Sequence, residues 1–263
     1  MDIATLIGII IGLSAIIGGQ MLESGAAISI IHPTAAIIVF GGTLGAIMIN
    51  FPMKTIINAI FSLKKVFLSD KIDLRNVFIQ IINLADLTRR EGNLALEPVV
   101  NTIDNDFLRK GVQLIADSAN ARVIKDILGT QIKQEEEEAA YSALVFESAG
   151  GFAPTFGIVG AVLGLIQVMQ HISEPSMLGQ GIATAFIATF YGVAAANLIL
   201  LPLGGKIRIK INEEIAIKQM ILEGVLSIHS GENPAVVEEK LNSFLIHKYQ
   251  YSQPQEIMEP EGW

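Results

Sequence analysis

The chain has 263 residues, 51% of them hydrophobic and 17% charged, with a formal net charge of −8. That balance excludes an ordinary soluble globule, and the acidic charge excludes a general nucleic-acid surface. With no cysteine there is no disulfide framework, thiolate metal site or cysteine nucleophile. Aromatic residues make up only 6%, beside 24 glycines, a composition of packed membrane helices rather than of a β-barrel.

In chain order, the first uncharged run is Ile3 to Leu22 and the second Gly25 to Met53, in which His32 is the one titratable side chain. The segment Gln20 to Pro33 is a polar break between them. A membrane core of roughly 30 Å needs about 20 helical residues, so each run is long enough to cross. The n-region Met1-Asp2 has no Lys or Arg, and Ile3 to Leu22 is read as a retained helix, not a cleaved signal.

From Asp70 to Glu138 the pattern is that of short amphipathic helices. Val77, Ile81, Leu84 and Leu87 or Thr88 follow helical spacing, as do Leu108, Val112, Ile115 and Ala116, with Gly92, Pro98 and Gly129 as the breaks. Gln131 to Val145 is expected to continue into the third run. The acidic run Glu135 to Glu138 reads as a solvated helix face or an electrostatic collar, and not as a metal site, since no histidine accompanies it.

The third run is Ser148 to Ile172 and the fourth Pro175 to Gly205, joined by a hairpin over His171 to Gly181. Small residues recur at packing distance in every run: Gly8 and Gly12, Gly41 and Gly45, Gly160 and Gly164, Gly192 and Ala196. Pro154 and Pro202 fall near the cytoplasmic ends of the third and fourth runs and are expected at similar depth, each loosening its helix. The fourth run continues into Lys206 to Leu226. Asn233-Pro234 is an N-cap with proline at N1, opening a last helix to about Ile246, and a disordered end follows.

All 18 Lys and Arg residues lie between Lys54 and Lys133 or between Lys206 and Lys248, and neither hairpin carries one. The positive-inside rule puts both stretches, and both termini, in the cytoplasm. The expected architecture is all-α, with four transmembrane helices, a large helical cytoplasmic loop between helices two and three, and a helical cytoplasmic tail. Its parts are 1–53 (spans one and two), 54–147 (the loop), 148–205 (spans three and four), 206–250 (C-terminal helices) and 251–263 (disordered tail).

No run contains Asp, Glu, Lys or Arg. An ion carrier normally holds such a group in the membrane, so a conducting assembly must receive its carboxylate from another chain. The polar side chains on offer are Thr155, Gln167, Thr184, Thr189, Tyr191 and Asn197. They suffice to line a wet path, although a hydroxyl bonded to the carbonyl one turn back is the simpler reading of each. His32, His171, His229 and His247 form no HExxH, and no nucleophile elbow, P-loop or dinucleotide fingerprint is present, so no enzyme, metal or cofactor is expected. Arg89, Arg90, Glu91 and Glu97 around Gly92 are either solvated surface or a docking edge whose mixed charges steer a partner.

Three segments carry a family resemblance: Arg89-Arg90-Glu91-Gly92-Asn93-Leu94-Ala95-Leu96-Glu97; Ala153-Pro154-Thr155-Phe156-Gly157-Ile158-Val159-Gly160 with Leu163-Gly164-Leu165; and Ala188-Thr189-Phe190-Tyr191-Gly192 with Asn197 and Leu201-Pro202-Leu203. With the four-run layout they make the chain, over roughly Met1 to Lys248, resemble the flagellar motor stator proteins MotA/PomA, a branch of the group that includes TolQ and ExbB. The resemblance implies a homo-oligomeric ring, a pentamer, in the lipid of the bacterial inner membrane. The ring would surround a MotB-like, single-span, peptidoglycan-anchored partner that supplies the channel aspartate. It further implies that Pro154 and Pro202 lie near the cytoplasmic end of the ion path, that Thr189 faces the pore, and that Arg89, Arg90 and Glu97 meet the rotor protein FliG. Sodium-driven relatives carry threonine where this chain has Ala161, so the implied ion is the proton. The alternatives are an ExbB/TolQ-like energiser of outer-membrane transport and a non-conducting membrane scaffold.

Overall fold

A computed structural model describes residues 3–22, 31–67, 74–173 and 175–252. Among the described residues the chain is all-helical, and four helical stretches are long and apolar enough to cross a membrane. The chain forms two compact units: one of Met1–Asp70 with Glu137–Ile211, the other of Lys71–Glu136 with Asn212–Trp263.

The first unit holds the spans. Helix α1 is Ile3–Leu22 and α2 is Pro33–Asn50, which begins with proline at N1. Helix α2 contains a π turn at Ile37–Gly41. Residues 23–30, most of the expected first hairpin, lie outside the described residues. After the extended residue Phe51, helix α3 runs over Met53–Phe67. Ile56 and Ala59 of α3 bury against Ile47, Phe51, Val145 and Ala149, which fastens α3 beside the end of α2.

Helix α6, Ala121–Gln170, is a single 50-residue helix that contains Pro154. It begins ten residues before the expected Gln131, and Gly129 does not break it. Ile124, Leu128 and Ile132 are buried around that glycine, and their packing outweighs the roughly 1 kcal/mol that an interior glycine costs a helix. The second hairpin is tighter than the sequence suggests. Among the described residues a turn over 171–173 precedes α7, Pro175–Ala195, because Pro175 can start a helix without an N–H to satisfy. A π turn at Ala196–Leu200 then leads into α8, Leu201–His229. The wider turn ends just ahead of Pro202, whose ring would otherwise press on the carbonyl of Leu198.

The second unit contains α4, Leu74–Glu91, α5, Asp106–Ala116, the start of α6, the end of α8, and α9, Pro234–Ser252. Its core includes Val77, Ile81, Leu84, Leu108, Val112 and Ile115, in the predicted helical spacing, together with Ile221, Val225 and Leu241. Asn105 caps α5 by accepting from the Leu108 N–H, and the Asn233 side chain accepts from the Ala235 N–H at the start of α9. Helix α9 extends beyond the expected Ile246 to Ser252. The remainder of the expected disordered tail, residues 253–263, lies outside the described residues. Part of the acidic run is not a free solvated face: Glu135 pairs with Lys218 of α8 and accepts from Gln131.

Candidate functional site

The third and fourth spans meet along a seam of small residues. A Cβ on Gly164 would lie 2.6 Å from the Gly181 carbonyl oxygen, and one on Gly160 would lie 2.5 Å from the Ala188 Cβ. One on Gly157 would lie 3.0 Å from the Ala188 carbonyl oxygen and 3.2 Å from Thr189 Cα. One on Gly192 would lie 2.5 Å from the Ala153 carbonyl oxygen and 3.0 Å from Pro154 Cα. Only glycine lets the two backbones approach this closely, which is the membrane use of small residues. The seam continues toward the positive-charge-rich end, with Gly150 against Leu201 and Gly204 against Glu147. There Arg208 grips Glu147 with a bidentate pair at 2.8–2.9 Å.

Not every predicted glycine pair is used within one chain. A methyl group added to Gly8, Gly41 or Gly45 would have nothing within 4 Å, while Gly42 abuts Phe156 and Gly12 abuts Leu198.

The seam brings Pro154 and Thr189 together, since Gly157 lies one turn after Pro154 and packs on Thr189, and Gly192 lies one turn after Thr189 and packs on Pro154. Thr189 is exposed at the edge of this arrangement and Pro154 is half-buried. Ala161 is half-buried directly after Gly160. Pro202 sits apart. It is exposed and lines, with Ala4, Gly8, Asn197, Leu203 and Lys206, a groove of about 380 Å³ between α1 and the fourth span. Its neighbour Leu201 is level with Gly150, four residues before Pro154, or about 6 Å along the helix.

The polar side chains of the spans use their donors on their own helices. Thr155 donates to Phe152 O at 2.6 Å, Thr189 to Ala185 O at 3.1 Å and Asn197 to Val193 O at 2.9 Å. Thr155 and Thr189 still present an acceptor oxygen, and Asn197 an acceptor oxygen and a second N–H.

A second polar cluster joins α2 to α7. The His32 N–H donates to Tyr191 Oη at 3.1 Å, and His32 Nε2 is 3.3 Å from Thr184 Oγ1, which itself donates to Gln180 O at 2.9 Å. Tyr191 is held between Phe40 and Phe190, with ring centroids 5.9 and 6.0 Å away, over the buried trio Ala35, Val39 and Ala188. Read singly along the sequence, these residues do not announce a cluster. The available signal is a lone titratable residue at the proline-marked start of a span.

In the other unit, Gly92 ends α4 in a left-handed conformation, φ +84°, with its N–H on Thr88 O. Buried Leu96 and Val100 fold the following turns inward. Arg89, Arg90, Glu91 and Glu97 are all exposed. Arg90 pairs with Asp86 at 2.8 Å, whereas Arg89, Glu91 and Glu97 make no hydrogen bond or ion pair among the described residues. Leu94, 75% exposed between them, adds an apolar centre that the sequence did not single out.

Where α8 turns back into α9, Lys240 lies 2.8 Å from both Glu232 oxygens and 3.4 Å from Glu223. The bond from Lys240 holds the Glu232 carboxyl below the usual carboxylate range, and Glu232 in turn raises Lys240.

Comparison with known proteins places this geometry. Residues 99–220 match the model of the MotA/TolQ/ExbB proton channel family, and residues 6–92 match that of the motility protein A N-terminal region. Motility protein A of Helicobacter pylori is 36% identical over 93% of this chain and 95% of its own. Motility protein A of Bacillus subtilis is 33% identical over 93% and 91%. The solved structure of C. jejuni MotAB aligns with a TM-score of 0.88 at 31% identity, covering 97% of this chain and 98% of the other. A whole-length match at this identity, through four apolar helices that make this a multi-pass membrane protein, shows that the chain belongs to the motility protein A branch of the MotA/TolQ/ExbB proton channel family.

Proposed function

We propose that the chain is the torque-generating stator subunit of a flagellar motor. Several copies form a ring in the bacterial inner membrane around a MotB-like partner, with both termini in the cytoplasm. The observation that carries the reading is the glycine seam at Pro154, Gly157, Thr189 and Gly192, in spans that contain no Asp, Glu, Lys or Arg. A tightly packed helix pair offering polar oxygens but no charge needs a second chain to bring the ion-carrying carboxylate.

The hydrogen bonds then give the site a preference. Thr155 and Thr189 have given their protons to backbone carbonyls and present acceptors to whatever docks beside them. A protonated carboxyl can donate to such an oxygen, whereas a carboxylate finds only lone pairs. The wall therefore favours the protonated state of a partner aspartate, and release of the proton toward the cytoplasm weakens that state's hold. Alternation between the two biases the ring to step around the anchored partner. One charge crossing 100 mV supplies about 2.3 kcal/mol, so rotation sums many such events. Ala161, in place of threonine, leaves no extra oxygen for a sodium ion, which supports the proton as the ion. The exposed edge of Arg89, Leu94 and Glu97 is where the rotor protein FliG would be met.

The test is tethered-cell rotation in a strain lacking only this gene. Paralysed cells with intact flagella, regaining speed in steps as the gene is re-expressed with its partner, are the expected result. Normal rotation in that strain, together with loss of energised outer-membrane uptake, would move the chain to the TolQ/ExbB kind of client.

A further inference from the structure

We propose that α3 is a docking helix for anionic lipid: its exposed apolar stripe enters the headgroup boundary of the bilayer, and Lys54 and Lys64 hold lipid phosphates. The proposal rests on the membrane placement given above and not on the stator reading, so its test needs no motility.

Charge singles this segment out. The chain has a formal net charge of −8, yet between Ser24 and Ser69 its charged side chains are Lys54, Lys64 and Lys65, all positive. An anionic leaflet repels a protein of that net charge, and a stretch holding lysines without Asp or Glu is where the repulsion reverses.

The backbone then keeps α3 at the membrane edge. Helix α2 ends at Asn50, with Ile49 almost fully exposed in its last turn. Phe51 is extended, φ −126° and ψ 144°, and the N–H groups of Thr55 and Ile56 both donate to the Pro52 carbonyl, so a new helix starts at Met53. The three steps from Asn50 to Met53 reach at most about 10 Å, which holds the start of α3 near the headgroup layer. The middle of the helix stays there as well. Ile56 and Ala59 pack on Ile47 and Phe51 from the end of the second span, and on Val145 and Ala149 from beside the start of the third.

Helical spacing puts Met53, Ile57, Ile60 and Phe61 on one stripe about 100° wide. This stripe lies next to the buried arc of Ile56 and Ala59, not within it, and all four of its side chains are exposed, Phe61 by 69%. Thr55, Asn58 and Ser62 fall on the side opposite the stripe. Lys54 stands at the border between the two sides, and Lys64 follows Ile60 by one turn at the end of the stripe; both are exposed. A lysine stem lies along apolar surface while its ammonium reaches outward to a phosphate. Glu147, on the part of α6 that α3 packs against, is already gripped by Arg208. An apolar stripe continuous with the end of a span, edged by cations, is the pattern of a helix seated in a negatively charged interface.

Two measurements on the full chain test the proposal. In the first, phosphatidylglycerol and phosphatidylcholine are titrated separately into the detergent-solubilised protein, and bound lipid is counted by native mass spectrometry. One lysine at an anionic surface is worth about fivefold. The double variant Lys54→Gln, Lys64→Gln should therefore bind phosphatidylglycerol about fivefold or more weakly, with phosphatidylcholine unchanged. Arg122→Gln, Lys125→Gln, which removes the same charge from exposed positions at the start of α6, should leave both unchanged. No loss in the α3 variant, or an equal loss in the α6 variant, overturns the site. In the second, a nitroxide is placed at Ile57→Cys or Asn58→Cys, in a chain that has no other cysteine. In nanodiscs containing phosphatidylglycerol, the label at 57 should collide more with oxygen than with a water-soluble nickel chelate, and the label at 58 the reverse. A label at 57 shielded from both reagents means that protein, such as a second copy of this chain, covers the stripe, and one open to the chelate means that water does. Either result overturns the docking, whether or not the gene restores rotation.

Discussion

Replacing Gly192 by alanine adds one methyl group where no flexible side chain can yield. The new Cβ would lie 2.5 Å from the Ala153 carbonyl oxygen, 3.0 Å from Pro154 Cα and 3.1 Å from the Ala153 carbonyl carbon, all backbone atoms. Restoring an ordinary contact of about 3.4 Å to that oxygen requires the third and fourth spans to part by about 0.9 Å at Pro154. Overpacking of this kind costs about 1–3 kcal/mol, a shift of about 5- to 150-fold in the folded-to-unfolded ratio. Alanine's better helix propensity returns at most about 1 kcal/mol, a gain that any mid-helix Gly→Ala control shares, so against such a control the full overpacking cost remains. The assay is reversible unfolding of the full chain in mixed micelles of increasing denaturing detergent. Gly41→Ala serves as the control, since nothing lies within 4 Å of its added methyl. If Gly192→Ala unfolds at the same detergent fraction as that control, the seam does not close as described, and the argument that Pro154 and Thr189 act together goes with it.

Gly129→Ala should stabilise the protein by about 0.5–1 kcal/mol, because the residue is mid-helix in α6 with open space around its Cβ position, and the same micelle titration reads it. Arg89→Glu and Glu97→Lys should each slow swimming, and a compensating charge on the rotor should restore it, whereas Arg90 substitutions should matter less because Asp86 already pairs with that side chain; unaltered swimming in both single variants would remove the docking role. The pair of Glu232 and Lys240 predicts a pH signature. Glu232 is lowered, so its contribution is full above about pH 4.3 and is lost as pH falls through the lower folded value. Lys240 is raised, so its contribution is full below about pH 10.4 and is lost as pH rises through the higher folded value. Lys240→Met should therefore cost up to about 1 kcal/mol near neutrality and nothing in strong acid, the partly exposed pair being screened by solvent; chemical unfolding of both proteins across pH decides it.

What depends on composition and local periodicity is legible without coordinates. Uncharged runs long enough to cross a membrane, the one-sided placement of Lys and Arg, and the buried stripe Val77, Ile81, Leu84 and Thr88 are all properties of residues taken in order. So are the candidate residues of each unit, Pro154 and Thr189 in one and Arg89 and Glu97 in the other, because their motifs are local. Which members meet is a matter of packing. Gly129 has the look of a break and is not one, because burial of its neighbours outweighs its local propensity. Gly42, not Gly41 or Gly45, makes the close contact of the second span, since a π turn re-phases that helix and no spacing rule anticipates it. Pro202 is turned from Pro154 to the groove beside α1, again behind a π turn. Thr184, Tyr191 and His32 are more than 150 positions apart in two of their pairings and touch only because α2 lies on α7. A helix pattern states which face is apolar, but the partner of that face is chosen in three dimensions, where glycines permit approach and each polar proton must find an acceptor.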